Sequence, residues 1–178
     1  MQQDTNELTS KVPGFSWLIE SELAGMKFPT EPEHYLSLTE PPFDIGVVIC
    51  LNEVLPAFLK QDCFAQSPLQ VAHFPIDDYG VPKQMETVYK IVDLVRNVKS
   101  SRKGVVVHCM AGLSRTGMVL SCLLVSLWQM SPKEAVQLVN NRRGKGRAVM
   151  TFKQEDFVER FYQHQLERLN TPPSTSTN

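Results

Sequence analysis

Residues 105–117 read VVVHCMAGLSRTG, and the change of character along this stretch decides the fold. Val105, Val106 and Val107 are β-branched residues of the kind that fill a buried strand. His108 and Cys109 follow, then Met110, Ala111, Gly112, Leu113 and Ser114, a run small and flexible enough to turn tightly. Arg115 comes next. From Thr116 to Met130 the chain is apolar nearly all round, which describes a helix enclosed by protein on every side. A buried strand passing through a short loop into a buried helix is the working part of a parallel α/β sheet.

The neighbouring segments fit the same plan. Gly46–Leu51 (GVVICL) is a continuous apolar run of strand length, as expected where both faces are covered. Leu69–Phe74 reads as another strand, stopped at Pro75. Short strands are expected over Phe15–Ile19 and Leu23–Ala24, and a helix opening at His34–Leu38. Met85, Val88, Ile91, Val92, Val95 and Val98 fall at three- and four-residue spacings, so one helix face lies within 83–99. Ser131 to Glu134 forms a capping box with Pro132 at the first helical position, opening a helix to about Arg143. Thr151 to Gln154 forms a second box, ahead of a helix that turns Phe157, Phe161 and Leu169 inward. The expected fold is α/β: a central, mostly parallel sheet of about five strands with helices on both faces. One domain is expected over 13–169, with a flexible lead-in at 1–12. The polar, proline-broken end at 170–178 reads as a disordered tail.

The 178 residues carry a net charge of -1, so nothing pulls the whole molecule towards nucleic acid or a membrane. No apolar run reaches membrane-spanning length, MQQDTNELTSK offers no apolar core for a signal peptide and NTPPSTSTN no prenylation box, so no membrane anchor is expected. The cysteines at 50, 63, 109 and 122 show no CxxC pair and no metal-ligand spacing. Neither metal nor cofactor is expected. The thiols read as reduced, in a cytoplasmic or nuclear setting, with Cys50, Cys63 and Cys122 as small buried hydrophobes.

Cys109 differs from the other three. In parallel sheets ligands bind beyond the carboxyl ends of the strands. There the backbone amides of Met110–Ser114, the start of the following helix and the Arg115 guanidinium would form a cradle for a phosphate. A thiol at a helix N-terminus beside an arginine is favoured in its ionised form, so Cys109 is expected as a thiolate aimed at phosphorus. A leaving oxygen needs a proton, and HFPIDDYGVP (73–82) offers Asp77 and Asp78 on a proline-bounded loop after a strand.

His108-Cys109-x5-Arg115-Thr116 resembles the signature of the cysteine-based protein tyrosine phosphatases. The short length, with FSWL and LAG near the N-terminus, is similar to the small atypical dual-specificity phosphatases, over about Phe15 to Tyr162. The resemblance implies hydrolysis of phosphotyrosine, extending to phosphoserine and phosphothreonine, in a phosphorylated protein partner by a monomer. Cys109 is the implied nucleophile, Arg115 the phosphate clamp, and an aspartate on a movable loop the acid. Pro-x-Asp-Asp resembles the phosphatases of regenerating liver, where the second aspartate acts, which favours Asp78 over Asp77. Thr116 is implied to hydrogen-bond the sulfur, and His108 to orient the loop. Gln154 is implied to position the hydrolytic water, although the capping box with Thr151 explains it equally well.

Two alternatives to this reading stay open on the sequence. The same chemistry could serve a phosphoinositide or an RNA 5′-phosphate, although Met110, Ala111, Leu113 and Ser114 carry no charge for such polyanions. A phosphate-binding adaptor without turnover is the third reading. The basic run Arg142-Arg143-Gly144-Lys145-Gly146-Arg147 is either a solvated helix end or a recruiter of acidic substrate. Cys50, near the Cys109 strand, is conceivable as a disulfide partner under oxidation.

Overall fold

The structure is a computed structural model that describes residues 11–60 and 62–170. Five strands are present among them: β1 Ser16–Ile19, β2 Leu23–Met26, β3 Ile45–Cys50, β4 Gln70–His73 and β5 Gly104–His108. They form one sheet in the order β1-β2-β5-β3-β4. β1 runs antiparallel to β2, and the other three pairings are parallel. The expected mostly parallel sheet is therefore present, with its one antiparallel strand at the edge.

The valines of β5 show why this strand lies at the centre. Val105 and Val107 pack into one hydrophobic core and Val106 into the other. Period-two alternation thus feeds two covered faces, and each fully buried side chain contributes about 1.5–3 kcal/mol. Four helices cover the first face: α3 Met85–Lys99, α4 Ser114–Trp128, α5 Pro132–Arg143 and α6 Phe152–Asn170. The second face is closed by α1 Pro32–Leu36, two 3-10 turns (Ser37–Thr39 and Ala57–Lys60), and the entry segment at Val12 and Phe15. A further short helix, α2 Asp62–Ala65, precedes β4. α4 is buried from Arg115 through Val125, as expected for a helix that is apolar all round.

Several boundaries moved for local reasons. α4 opens at Ser114, two residues early, and stops at Trp128 because Gln129 adopts a left-handed φ of 55°. α1 begins at Pro32 rather than His34, since proline suits the first helical position; the His34 ring accepts the Thr30 N–H at 3.2 Å. β2 continues past Ala24 to Met26, held by pairing with β5 up to His108. Val12 is fully buried. The rest of the expected lead-in before Lys11, and the expected tail after Asn170, lie outside the described residues, as does the Cys63 side chain. Cys50 and Cys122 are buried free thiols. No helix among the described residues is long and apolar enough to cross a membrane.

Candidate active site

His108 ends β5 in register with Met26 of β2 and Cys50 of β3, so Cys109 emerges at the carboxyl edge between two parallel neighbours. The loop that follows is fastened on its outer side, where the Phe28 N–H donates to the Met110 carbonyl at 3.0 Å. Gly112 sits at φ 66°, and a Cβ there would lie 2.1 Å from the Met26 carbonyl oxygen, so this close turn demands glycine. α4 starts two residues later. Its first amides have no partners within the helix, and they carry the positive end of the helix dipole.

Arg115 is 2% exposed. Its Nη1 donates to Glu53 Oε2 at 2.9 Å and to the Ile76 carbonyl at 2.8 Å. Its Nη2 lies 3.0 Å from Asp78 Oδ1. Its Nε is buried with no partner. Burial works against this charge, but the bond to Glu53 and the charges of Cys109, Glu53 and Asp78 outweigh it and raise the guanidinium above its ordinary value. Glu53 is held below the usual carboxylate range by its own backbone N–H, by Arg115 and by the Asp78 N–H. One glutamate therefore ties Arg115 to the loop that carries the aspartates. That loop leaves β4 laced to the end of β3: the Phe74 N–H donates to the Cys50 carbonyl at 3.0 Å and the Ile76 N–H to that of Leu51 at 3.1 Å. It turns where the Gly80 N–H donates to the Asp77 carbonyl at 2.8 Å. Asp78 is the aspartate beside the arginine; Asp77 supplies that turn carbonyl.

His108 is fully buried. Its Nε2 lies 2.5 Å from the Tyr35 hydroxyl, and the Phe28 ring stands edge-on at 5.7 Å. Burial lowers the imidazole from 6.5 to about 4, opposed in smaller part by the adjacent Cys109 backbone, and burial also raises the Tyr35 phenol. A neutral ring accepting from an un-ionised phenol follows from both shifts. The unfolded chain takes up a proton at His108 below pH 6.5 and the folded chain does not until about pH 4. This contribution, about 3 kcal/mol, is complete above the window and is lost as pH falls through it. Denaturant titrations at pH 7 and pH 5 are expected to show a smaller loss of stability on acidification in His108→Gln than in the parent. Equal losses would exclude His108 as the source.

The Thr116 hydroxyl is buried and makes no hydrogen bond, to sulfur or otherwise. Cys50 lies at the end of β3, and burial pushes its thiol up to about 11. Gln154 is 0% exposed and completes the expected capping box: its Oε1 accepts the Thr151 N–H at 3.0 Å and its own N–H donates to Thr151 Oγ1 at 3.3 Å. It also does what the sequence did not announce. Its Oε1 accepts from Ser114 Oγ at 2.8 Å, and its Nε2 donates to the Gly80 carbonyl at 2.9 Å.

The basic run at the end of α5 is corrected at one residue. Arg143 is not a solvated helix end: it turns inward, donating from Nε to the Gly112 carbonyl at 2.6 Å. Its Nη1 donates to Ser16 Oγ at 2.7 Å and its Nη2 to the Gly14 carbonyl at 3.1 Å. Burial lowers it to about 10. Lys145 and Arg147 stay exposed. Glu53, Tyr35 and Arg143 are the site residues that sequence reasoning missed. Among the described residues, no group of three or more His, Cys, Asp or Glu side chains could hold a metal ion.

Comparison with known proteins bears on this geometry. The family model described as "Swiss Army Knife protein, DSP-PTPase phosphatase domain" matches residues 12–158. Human cyclin-dependent kinase inhibitor 3 is 31% identical over 116 residues, covering 65% of this chain and 54% of the relative. The chain spans about half the length of the mammalian relatives it matches. The crystal structure of Tk-PTP in its active form is 26% identical with a TM-score of 0.69, covering 85% of this chain and 97% of that one. PTPMT1 in complex with PI(5)P shares the fold at 17% identity, with a TM-score of 0.73 over 87% of this chain and 98% of that one.

Proposed function

The chain belongs to the DSP-PTPase phosphatase family, as a small atypical dual-specificity member of the cysteine-based protein tyrosine phosphatases, and from that premise we propose that it hydrolyses phosphotyrosine, and with it phosphoserine and phosphothreonine, in proteins. The observation that carries this reading is the meeting of three elements at one sheet edge. Cys109 directly follows the central strand, Arg115 lies in the first turn of α4, and Asp78 reaches within 3.0 Å of the Arg115 guanidinium from a separate loop.

The chemistry follows from that arrangement. The phosphate settles among the loop amides and the unpartnered Nε of Arg115. The Cys109 thiolate attacks phosphorus, an S–P bond forms, the P–O ester bond breaks, and Asp78 gives its proton to the leaving oxygen. Water then attacks phosphorus, its proton returns to Asp78, the S–P bond breaks, and inorganic phosphate leaves with the thiolate restored. The orphaned Thr116 hydroxyl is the donor available to the departing sulfur.

A protein substrate is supported by the lining. The loop positions Met110, Ala111, Leu113 and Ser114 carry no charge. Exposed apolar side chains at Val54, Tyr79, Met110, Leu113 and Phe152 lie on the same segments as Glu53, Asp78, Cys109 and Gln154. A polyphosphorylated headgroup would call for cations in these places. Lys145 and Arg147 are the exposed cations that favour the second reading, a phosphoinositide or RNA 5′-phosphate.

Asp78→Ala is the test. It is expected to lower kcat on a phosphotyrosine peptide by about 10²- to 10³-fold, the range of a lost general acid, with Asp77→Ala within about threefold of the parent. The Asp78→Ala protein, offered phosphopeptides, phosphoinositide vesicles and 5′-phosphorylated RNA, should retain the phosphopeptides. Retention of vesicles or RNA instead moves the substrate class to the second reading. A parent protein that turns over no aryl phosphate would point to an adaptor.

A further inference from the structure

Gln154 is occupied at both ends of its amide. Its oxygen takes the Ser114 hydroxyl at 2.8 Å, from the residue that opens α4, along with the Thr151 N–H at 3.0 Å. Its nitrogen reaches the Gly80 carbonyl at 2.9 Å, two residues beyond Asp78 and within the aspartate turn. A capping glutamine needs only the Thr151 bonds. The other two join segments that nothing else in the box requires, across 40 and 74 residues of chain. Around them the aspartate loop is well exposed, with Asp78 at 60% and Tyr79 at a left-handed φ of 53°. An exposed turn of this kind is mobile unless tied, and the ties are Arg115 with Glu53 on one side and Gln154 on the other.

We propose that Gln154 is a positioning residue that fastens the acid-bearing loop to the phosphate loop, holding the Asp78 carboxyl over the leaving oxygen. This rests on the phosphatase reading and extends it. Gln154 acts through Asp78, so its effect belongs to the step that expels the leaving group. It grows with the basicity of that group, because p-nitrophenol departs with little help from an acid whereas phenol requires a proton.

Gln154→Glu isolates the tie. Glutamate serves a capping box as well as glutamine does and still accepts from Ser114 and Thr151, but it has no donor for the Gly80 carbonyl. Its added charge weakens binding of both substrates alike, so the readout is the ratio of kcat on p-nitrophenyl phosphate to kcat on phenyl phosphate. That ratio is expected to rise about tenfold in Gln154→Glu and to stay at the parent value in Thr151→Ala, which loses the cap and lowers Tm but keeps the Gly80 bond. An unchanged ratio in Gln154→Glu overturns the proposal and leaves Gln154 a cap. So does a stoichiometric burst of p-nitrophenol followed by slow turnover, which would place Gln154 at the water of the second step. A parent protein inert towards both aryl phosphates refutes the phosphatase reading itself, a separate result.

Discussion

Cys109→Ser is expected to lower hydrolysis of p-nitrophenyl phosphate by roughly 10⁴- to 10⁶-fold, the scale of a removed nucleophile in a site that works as a unit. A hydroxyl in this place has no base to ionise it. The neighbouring imidazole is buried, neutral and engaged with the Tyr35 hydroxyl at 2.5 Å. Asp78 pairs with Arg115 and is needed as an acid. The cradle itself survives, because its donors are backbone amides and Arg115, and serine is close to cysteine in size. Calorimetry with tungstate should therefore show the anion still bound, with near-parental circular dichroism. Residual turnover above about one hundredth of the parent rate would falsify Cys109 as the nucleophile.

Arg115→Lys is the second large loss, about 10²- to 10³-fold in kcat/KM. Charge is conserved in this change, so geometry alone carries the effect. The guanidinium serves Glu53 at 2.9 Å, the Ile76 carbonyl at 2.8 Å and Asp78 at 3.0 Å while its Nε stays free. A lysine ammonium is one point with three donors and cannot span these acceptors and a phosphate together. Tungstate affinity should fall in parallel with kcat/KM, since the lost contact already acts on the bound anion. If kcat/KM of the Arg115→Lys protein stayed within about tenfold of the parent, the cradle amides would be holding the phosphate without the arginine.

What the sequence disclosed and what it withheld divide along contact range. The β5–loop–α4 unit was legible because three valines, a turn and an apolar helix follow one another within the chain. Both capping boxes were legible for the same reason: Ser131–Glu134 and Thr151–Gln154 are local and close as expected. Glu53 was not, because it sits in irregular chain after β3 and meets Arg115 across 62 residues. The available signal was its place, just past a buried strand that flanks β5 in the sheet. Tyr35 hid in a proline-rich stretch whose short helix gives no period to read. Arg143 looked like one of several solvent-facing cations. The clue to its inward turn was a pair of glycines: a Cβ at Gly25 or at Gly112 would each come within 2.8 Å of an Arg143 nitrogen. Missing side chains on two other segments had opened the slot that it fills.

The partners of Arg143 are all neutral oxygens, from Gly112, Ser16 and Gly14. Arg115, in contrast, faces two carboxylates. The front guanidinium is therefore compensated by carboxylates before any substrate arrives, and the rear one is opposed only by the Cys109 charge. On the proposed mechanism, a dianion entering the cradle meets a positive field from behind the loop that the Cys109 charge offsets only in part, anchored through a serine 127 positions upstream. Natural variation at that distant serine should surface as altered inhibition by free phosphate, in a region that a reader of the signature alone would pass over.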